Sequence, residues 1–236
     1  MHMQFLKISN PIMMSAMAAV VASAVLMVSF LALEPSVGRA ATDVFTIGQT
    51  ITSELSITAS TSDVTLSPSI AGLTGGIGNG STEVVVTTNN ATGYSMTIQF
   101  SSSTAMYRNG GGLGNSSISN YTATSTADRL FDEEETYAMF GYSVYAPVTE
   151  ADDDIHLTFL DDGSALCGVG TDDTVSECWL APSSTAAQQI VDRGDATLAS
   201  GATTTVQFRV DVPAGPVPAV PTGTYTATAT LTAVTQ

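Results

Sequence analysis

Lysine is almost missing from this chain of 236 residues: Lys7 is the only one. Everything downstream is therefore barred from Lys–Asn isopeptide cross-links. Six basic residues face 22 acidic ones, a formal net charge of −16. Such a surface repels nucleic acid and anionic lipid headgroups, so neither is an expected partner. Histidine is scarce too, with His2 and His156 alone. A Ser-His-Asp arrangement past the N-terminal stretch would have to use His156, and no Gly-x-Ser-x-Gly frames a serine. Cys167 and Cys178 are the only cysteines. With one histidine they fall short of the four N/S ligands of a structural zinc site. No helix of core size is predicted after residue 40, and no fixed-period repeat points to a propeller or solenoid.

What is present begins with an address. Residues 1–40 run from a weakly basic head at Lys7 into an apolar stretch, Ile12 to Leu33, then to Pro35, Gly38 and Ala40. A charged start, an apolar middle, a helix-breaker and small residues at a cleavage point describe an export signal, cut after Ala40. The apolar stretch is longer than the usual signal core of about 7–15 residues. At about 1.5 Å per residue it would also cross a bilayer core of about 30 Å. A retained membrane anchor is thus the second reading, and the only membrane contact expected. Both readings place residues 41–236 outside the cytoplasm, extracellular or on the cell surface.

Past Ala40 the balance is more acidic still: four arginines (6 less Lys7 and Arg39) against 21 acids (22 less Glu34). Two cysteines in an exported chain read as a disulfide, Cys167–Cys178. Its twelve-residue loop is worth a little under ~3 kcal/mol by chain entropy. Apolar content of 44% is enough for a core, and threonine, β-branched, favours strands.

Period-two alternation dominates residues 41–236. Phe45, Ile47 and Ile51 alternate with polar neighbours, as do Leu55, Ile57 and Ala59, then Val64 and Leu66. A glycine-rich loop, Gly72 to Gly80, leads into Glu83–Thr88. A turn at Asn89 to Gly93 joins that run to Tyr94, Met96, Ile98 and Phe100 as a hairpin. Residues 101–126 are so rich in Ser, Thr, Asn and Gly that they read as a flexible polar insertion. Strands resume at Tyr137–Tyr145 and Ile155–Leu160, and Ala186–Val191 reads as a short helix or turn. Val206, Phe208, Val210 and Val212 form a clear strand, as do Tyr225, Ala227, Ala229, Leu231 and Ala233. Nine or ten strands with turns between them give the expected class: all-β, an antiparallel β-sandwich behind an N-terminal hydrophobic signal or anchor helix.

Two segments carry a resemblance. Thr87-Thr88-Asn89-Asn90-Ala91-Thr92-Gly93-Tyr94-Ser95-Met96-Thr97-Ile98, with Pro221-Thr222-Gly223-Thr224-Tyr225-Thr226-Ala227-Thr228, resembles β-sandwich surface proteins grouped with WxL domains. The Gly223-x-Tyr225 opening is also similar to secreted pilin-like proteins of the spore-coat-U type. The resemblance implies a sandwich fold and a surface location. Trp-x-Leu motifs are absent, since Trp179 is followed directly by Leu180, so cell-wall binding is carried over to no residue.

Among candidate sites, the acidic clusters come first: Asp132 to Glu135, Asp152, Asp153 and Asp154, Asp161 and Asp162, Asp172 and Asp173. Calcium takes six to eight oxygen ligands, often from loop carboxylates. Asp152, Asp153, Asp154, Asp161 and Asp162 are the calcium candidates, although none matches the EF-hand spacing and solvated turns explain the same runs. No other cofactor is expected. Two approaching acids would suit glycoside cleavage, the basis of a secreted hydrolase as the weakest reading. His156 is expected in a strand, facing water. Phe100, Tyr107, Tyr121 and Tyr145 are the aromatics that could contact a carbohydrate or surface-protein ligand, with core positions as the plainer account. Sequons occur at Asn79, Asn90, Asn115 and Asn120, where composition alone generates several.

The expectation is a non-enzymatic secreted or cell-surface protein with a structural or adhesive role. The alternative is self-assembly into an extracellular filament, with Val44–Ile51 leaving its own sheet to complete a neighbour's. The plain counterpart is that Val44–Ile51 forms the first strand of its own domain.

Overall fold

The computed structural model describes residues 11–32, 46–61, 63–109, 116–123, 127, 131, 136–146, 154–161, 167, 173–174 and 178–236. Two compact units divide the chain, Met1–Thr50 and Ile51–Gln236. In the first, α1 spans Pro11–Ala32. Alanine, methionine and leucine are frequent in it, all strong helix formers, and Pro35, which a helix interior rejects, follows shortly after. Its side chains are described from Met14 to Ser29, and among the described residues no helix is long and apolar enough to cross a membrane. Ala40, the expected cleavage point, lies outside the described residues.

The second unit is mostly β. Its strands are β1 (Leu55–Ala59), β2 (Gly76–Thr88), β3 (Tyr94–Phe100), β4 (Met106–Arg108), β5 (Ser117–Asn120), β6 (Met139–Tyr145), β7 (Leu160–Asp161), β8 (Asp173–Thr174), β9 (Trp179–Leu180), β10 (Gln188–Arg193), β11 (Ala202–Val212), β12 (Tyr225–Ala227) and β13 (Ala229–Thr235). An eight-stranded sheet runs β1-β2-β11-β6-β5-β4-β12, with β9 also on β6; a three-stranded sheet runs β10-β3-β13, and β7 pairs with β8. Among the described residues every strand pairing is antiparallel except β5 with β6.

The alternation read from sequence shows why these strands form. Val206, Val210 and Val212 of β11 are buried, as are Val84 and Val86 of β2 and Phe140, Tyr142 and Val144 of β6. Tyr94, Met96, Ile98 and Phe100 of β3 join them in one core drawn from both larger sheets. Tyr225, Ala227, Leu231 and Ala233 pack against its margin. At Thr228 the chain passes from the large sheet, where β12 pairs with β4, to the small one, where β13 pairs with β3.

Several expectations need correction. The turn before Gly93 is present, with Gly93 at φ 76°, but β2 and β3 are not a hairpin. β2 pairs with β1 and β11, β3 with β10 and β13. Both strands bury one face in the same core, so the chain crosses between sheets instead of folding beside itself. Most of the glycine-rich stretch is strand, not loop. Segment 64–70 lies over it, and a Cβ on Gly80 would come within 2.8 Å of Val64 and 2.9 Å of Leu66. The polar stretch 101–126 supplies β4 and β5, and Ala105, Met106, Ile118 and Tyr121 are buried. A few apolar residues among many polar ones were enough, because each falls on the inward side of a short pairing. Gln188–Arg193 is strand β10 in place of a helix or turn.

The expected first strand at Val44–Ile51 is not formed by its described part. Residues 46–54 belong to no strand, and Ile47 and Ile51 are 84% and 82% exposed. The first strand is β1, at Leu55.

Candidate functional site

On the large sheet, residues facing away from the main core build a second, smaller cluster. Tyr121, Phe131, Met139 and Trp179 are its buried members. β6 supplies it by alternation: Phe140 and Tyr142 point to the main core, so Met139, Gly141 and Ser143 face the other way. Phe131 stacks on Tyr121 with centroids 4.5 Å apart and planes 12° apart, and meets Trp179 edge-on at 5.3 Å.

Arg209 of β11 completes the arrangement. It lies between Asn79 of β2 and Gly141 of β6 in the strand register. Its guanidinium carbon sits 4.2 Å from the Trp179 ring centre and 5.6 Å from that of Phe131. Its Nε–H donates to Asn79 Oδ1 at 2.9 Å. A cation over an indole face is attracted by the ring quadrupole, more strongly when desolvated. Gly141 makes room: a Cβ there would lie 2.9 Å from Phe131, 3.1 Å from Tyr121 and 3.3 Å from the Leu180 carbonyl oxygen. One row along, Ser143 stands opposite both Gln207 and Trp179. Ser143 Oγ, Gln207 Oε1 and Trp179 Nε1 are buried and have no hydrogen-bond partner among the described residues.

Sequence reasoning did not find this cluster. Its members are scattered from Tyr121 to Arg209, and Arg209 looks like any polar residue on the outward side of an alternating strand. The one available signal was Phe131, a large aromatic beside Leu130 in a mostly polar stretch.

Of the calcium candidates, only Asp154 has its side chain among the described residues. Asp154 is bound to Arg193 in an ion pair, and Arg193 also reaches Asp195 at 2.7 Å. Asp161 lies in β7, its side chain outside the described residues, and Asp152, Asp153 and Asp162 lie outside them entirely. Among the described residues no three His, Cys, Asp or Glu side chains form a group that could hold a metal. The disulfide Cys167–Cys178 is formed, with Cα atoms 5.6 Å apart.

His156 is not on a strand facing water. It caps a 3-10 turn, Leu157–Phe159, and accepts from the Thr158 N–H at 3.3 Å through Nδ1, which also meets Thr158 Oγ1 at 3.0 Å. Burial lowers its pKa, with Asp192 pulling the other way. Accepting at Nδ1 requires that nitrogen unprotonated, consistent with the neutral ring. Burial also raises the Tyr142 hydroxyl far above its ordinary value.

Of the candidate contact aromatics, Phe100 and Tyr121 are buried, while Tyr107 and Tyr145 are half-buried. Phe100 belongs to the core, with its ring against Phe140 and Tyr142. Three sequon asparagines are engaged by the fold. Asn79 holds Arg209; Asn90 Nδ2 donates to the Gln236 carbonyl at 2.8 Å; Asn120 Nδ2 donates to the carbonyls of Ser103 and Pro182. Asn115 lies outside the described residues.

An open depression lies where β1 begins and β2 ends, lined by Glu54, Leu55, Thr88, Asn89 and Thr197 among others. Its wall is fixed by Glu54 N–H to Asn89 Oδ1 and Thr88 Oγ1 to the Glu54 carbonyl, both 2.7 Å. It offers hydroxyls, an amide and one carboxylate. In the Arg209 cluster Trp179 is fully buried and Arg209 half-buried, so the arrangement holds a cation against aromatic rings.

In comparison with known proteins, no family model matches the chain, and neither does any curated protein.

Proposed function

We propose that this chain is an exported, non-enzymatic β-sandwich protein of the cell surface or extracellular space, with a structural or adhesive role. The observation that carries the reading is the Cys167–Cys178 disulfide in a chain that opens with an export-type segment, since such bonds persist in oxidising compartments. The strong negative charge keeps such a domain soluble outside the cell. Two larger sheets contributing to one core support the sandwich, and the likeness of residues 87–98 and 221–228 to surface β-sandwich proteins favours the same location. The depression around Glu54, Thr88 and Asn89 suits weak contact with a hydroxyl-rich ligand such as a carbohydrate. Antibody labelling of intact cells tests the location. Label on unpermeabilised cells is expected; label only after permeabilisation overturns it.

A second reading has its own observation. Ile47 and Ile51 are exposed and outside any strand, which suits a segment that adds to a neighbouring copy's sheet in a filament. Ladders surviving mild denaturant are the expected result, lost in Ile47→Asp/Ile51→Asp; unchanged ladders in that variant contradict it.

A further inference from the structure

Among the described residues β13 is an unpaired sheet edge, and the other sheet edges show what it lacks. Strand edges carry unpaired N–H and C=O groups, and proteins protect them with bulges, charges, short length or cover. β10, the opposite edge of the same sheet, has a register shift between Gln189 and Val191 and ends in Asp192-Arg193. It is also overlaid, with Ile155 bridged to Val191 and the His156 N–H bound to the Ile190 carbonyl. On the large sheet, β12 is three residues long and β1 five, with Glu54 just before β1. Among the described residues β13 has no bulge, no charge and no paired strand on its outer side; β1 of the large sheet passes near it without pairing. The seven residues of β13 pair with β3 in unbroken register. Residues 224–236 contain no charged side chain, no proline and no glycine. Among the described residues no strand pairs with its other edge.

Charge decides what can occupy this edge. In a chain of net charge −16 two copies repel over most of their surface, and an uncharged strand is where that repulsion is least. Both faces of β13 also have apolar atoms to bury: Leu231 and Ala233 are partly exposed at the margin of the core, and Val234 on the other side is 51% exposed. Alternating threonine supports strand pairing without needing a partner of opposite charge.

We infer that β13 docks against β13 of a second copy, antiparallel about a two-fold axis near Thr232. The two three-stranded sheets then become one continuous sheet across an isologous interface. The pairing satisfies the open backbone groups of both edges at once and leaves no further edge on that side, so it closes at a dimer.

Single-cysteine variants of the full chain at Thr230, Thr232 and Val234 test this under mild oxidation. Residues directly opposite in an antiparallel pair have Cα atoms about 4.5–5.5 Å apart, within disulfide reach. Thr232→Cys is expected to give a cross-linked dimer on a non-reducing gel, with two copies of the peptide that carries the substitution joined by one disulfide in the mass spectrum. The other two variants should give little. Thr232→Lys, on an exposed position, is expected to weaken the dimer at least tenfold on sizing with an unchanged circular dichroism spectrum. No cross-link, equal cross-linking at all three sites, or a Lys variant that sizes like the native chain would overturn the inference. So would preferred cross-linking of Thr232→Cys to Ile47→Cys in a mixture, which would assign the edge to strand donation.

Discussion

The guanidinium carbon of Arg209 lies 4.2 Å from the ring centre of Trp179, on the side of the large sheet away from the main core. Two strands, β11 and β9, supply the pair, each beside β6. The contact ties a two-residue strand beyond Cys178 to the longest run of strand pairing among the described residues. Arg209→Lys keeps the charge but loses the planar stack and the Nε bond to Asn79. It should lower unfolding free energy by about 1–3 kcal/mol. Urea unfolding followed by the single tryptophan's fluorescence measures this, and a loss below a few tenths would show the stack to be incidental.

Gly141 should tolerate no side chain. Gly141→Ala presses a methyl into Phe131, Tyr121 and the Leu180 carbonyl, and overpacking of that kind costs about 1–3 kcal/mol. Phe131→Leu in the same chain should recover part of the loss, because it removes the nearest ring edge. Additive losses in the double variant would contradict the contact.

Ser143 behaves oppositely. Its hydroxyl is fully buried and unpartnered among the described residues, so Ser143→Ala removes a desolvated polar group and no hydrogen bond. Stability should be unchanged or rise by up to about 1 kcal/mol. A fall larger than that in thermal or urea unfolding would mean the hydroxyl is bonded in solution.

His156 has its pKa lowered by burial, so the folded protein binds its proton less readily than the unfolded chain. The stability this gives is fully present above the unfolded value of about 6.5 and is lost as pH falls through the lower folded value. An NMR titration should place the His156 midpoint below the ordinary imidazole range, and unfolding free energy should decline on acidification across that window. His156→Gln should flatten the decline. A midpoint at or above the ordinary value would contradict the capping geometry.

Much of the β architecture was legible because alternation is local. β6, β11 and the β12–β13 stretch each show their buried side as every second residue, and Val206, Val210 and Val212 needed no neighbours to be identified. Partnership was not legible. The turn at Gly93 looks the same whether it closes a hairpin or carries the chain between sheets, and only the shared core decides. Short pairings within 101–126 were hidden because Met106 and Ile118 are single apolar residues among polar ones, and their burial depends on β12 and β6. The Arg209 cluster was invisible for the same reason: its geometry is made by register between β2, β11, β6 and β9, which no single segment encodes. The disulfide was readable because two cysteines have only one possible pairing.

Intact mass of the native protein, recovered by cell fraction, tests export and oxidation together. A chain beginning at Ala41, two hydrogens lighter than its reduced form, is expected in the surface or culture-fluid fraction. A chain beginning at Met1 with both thiols free, recovered from the cytoplasm, would contradict both.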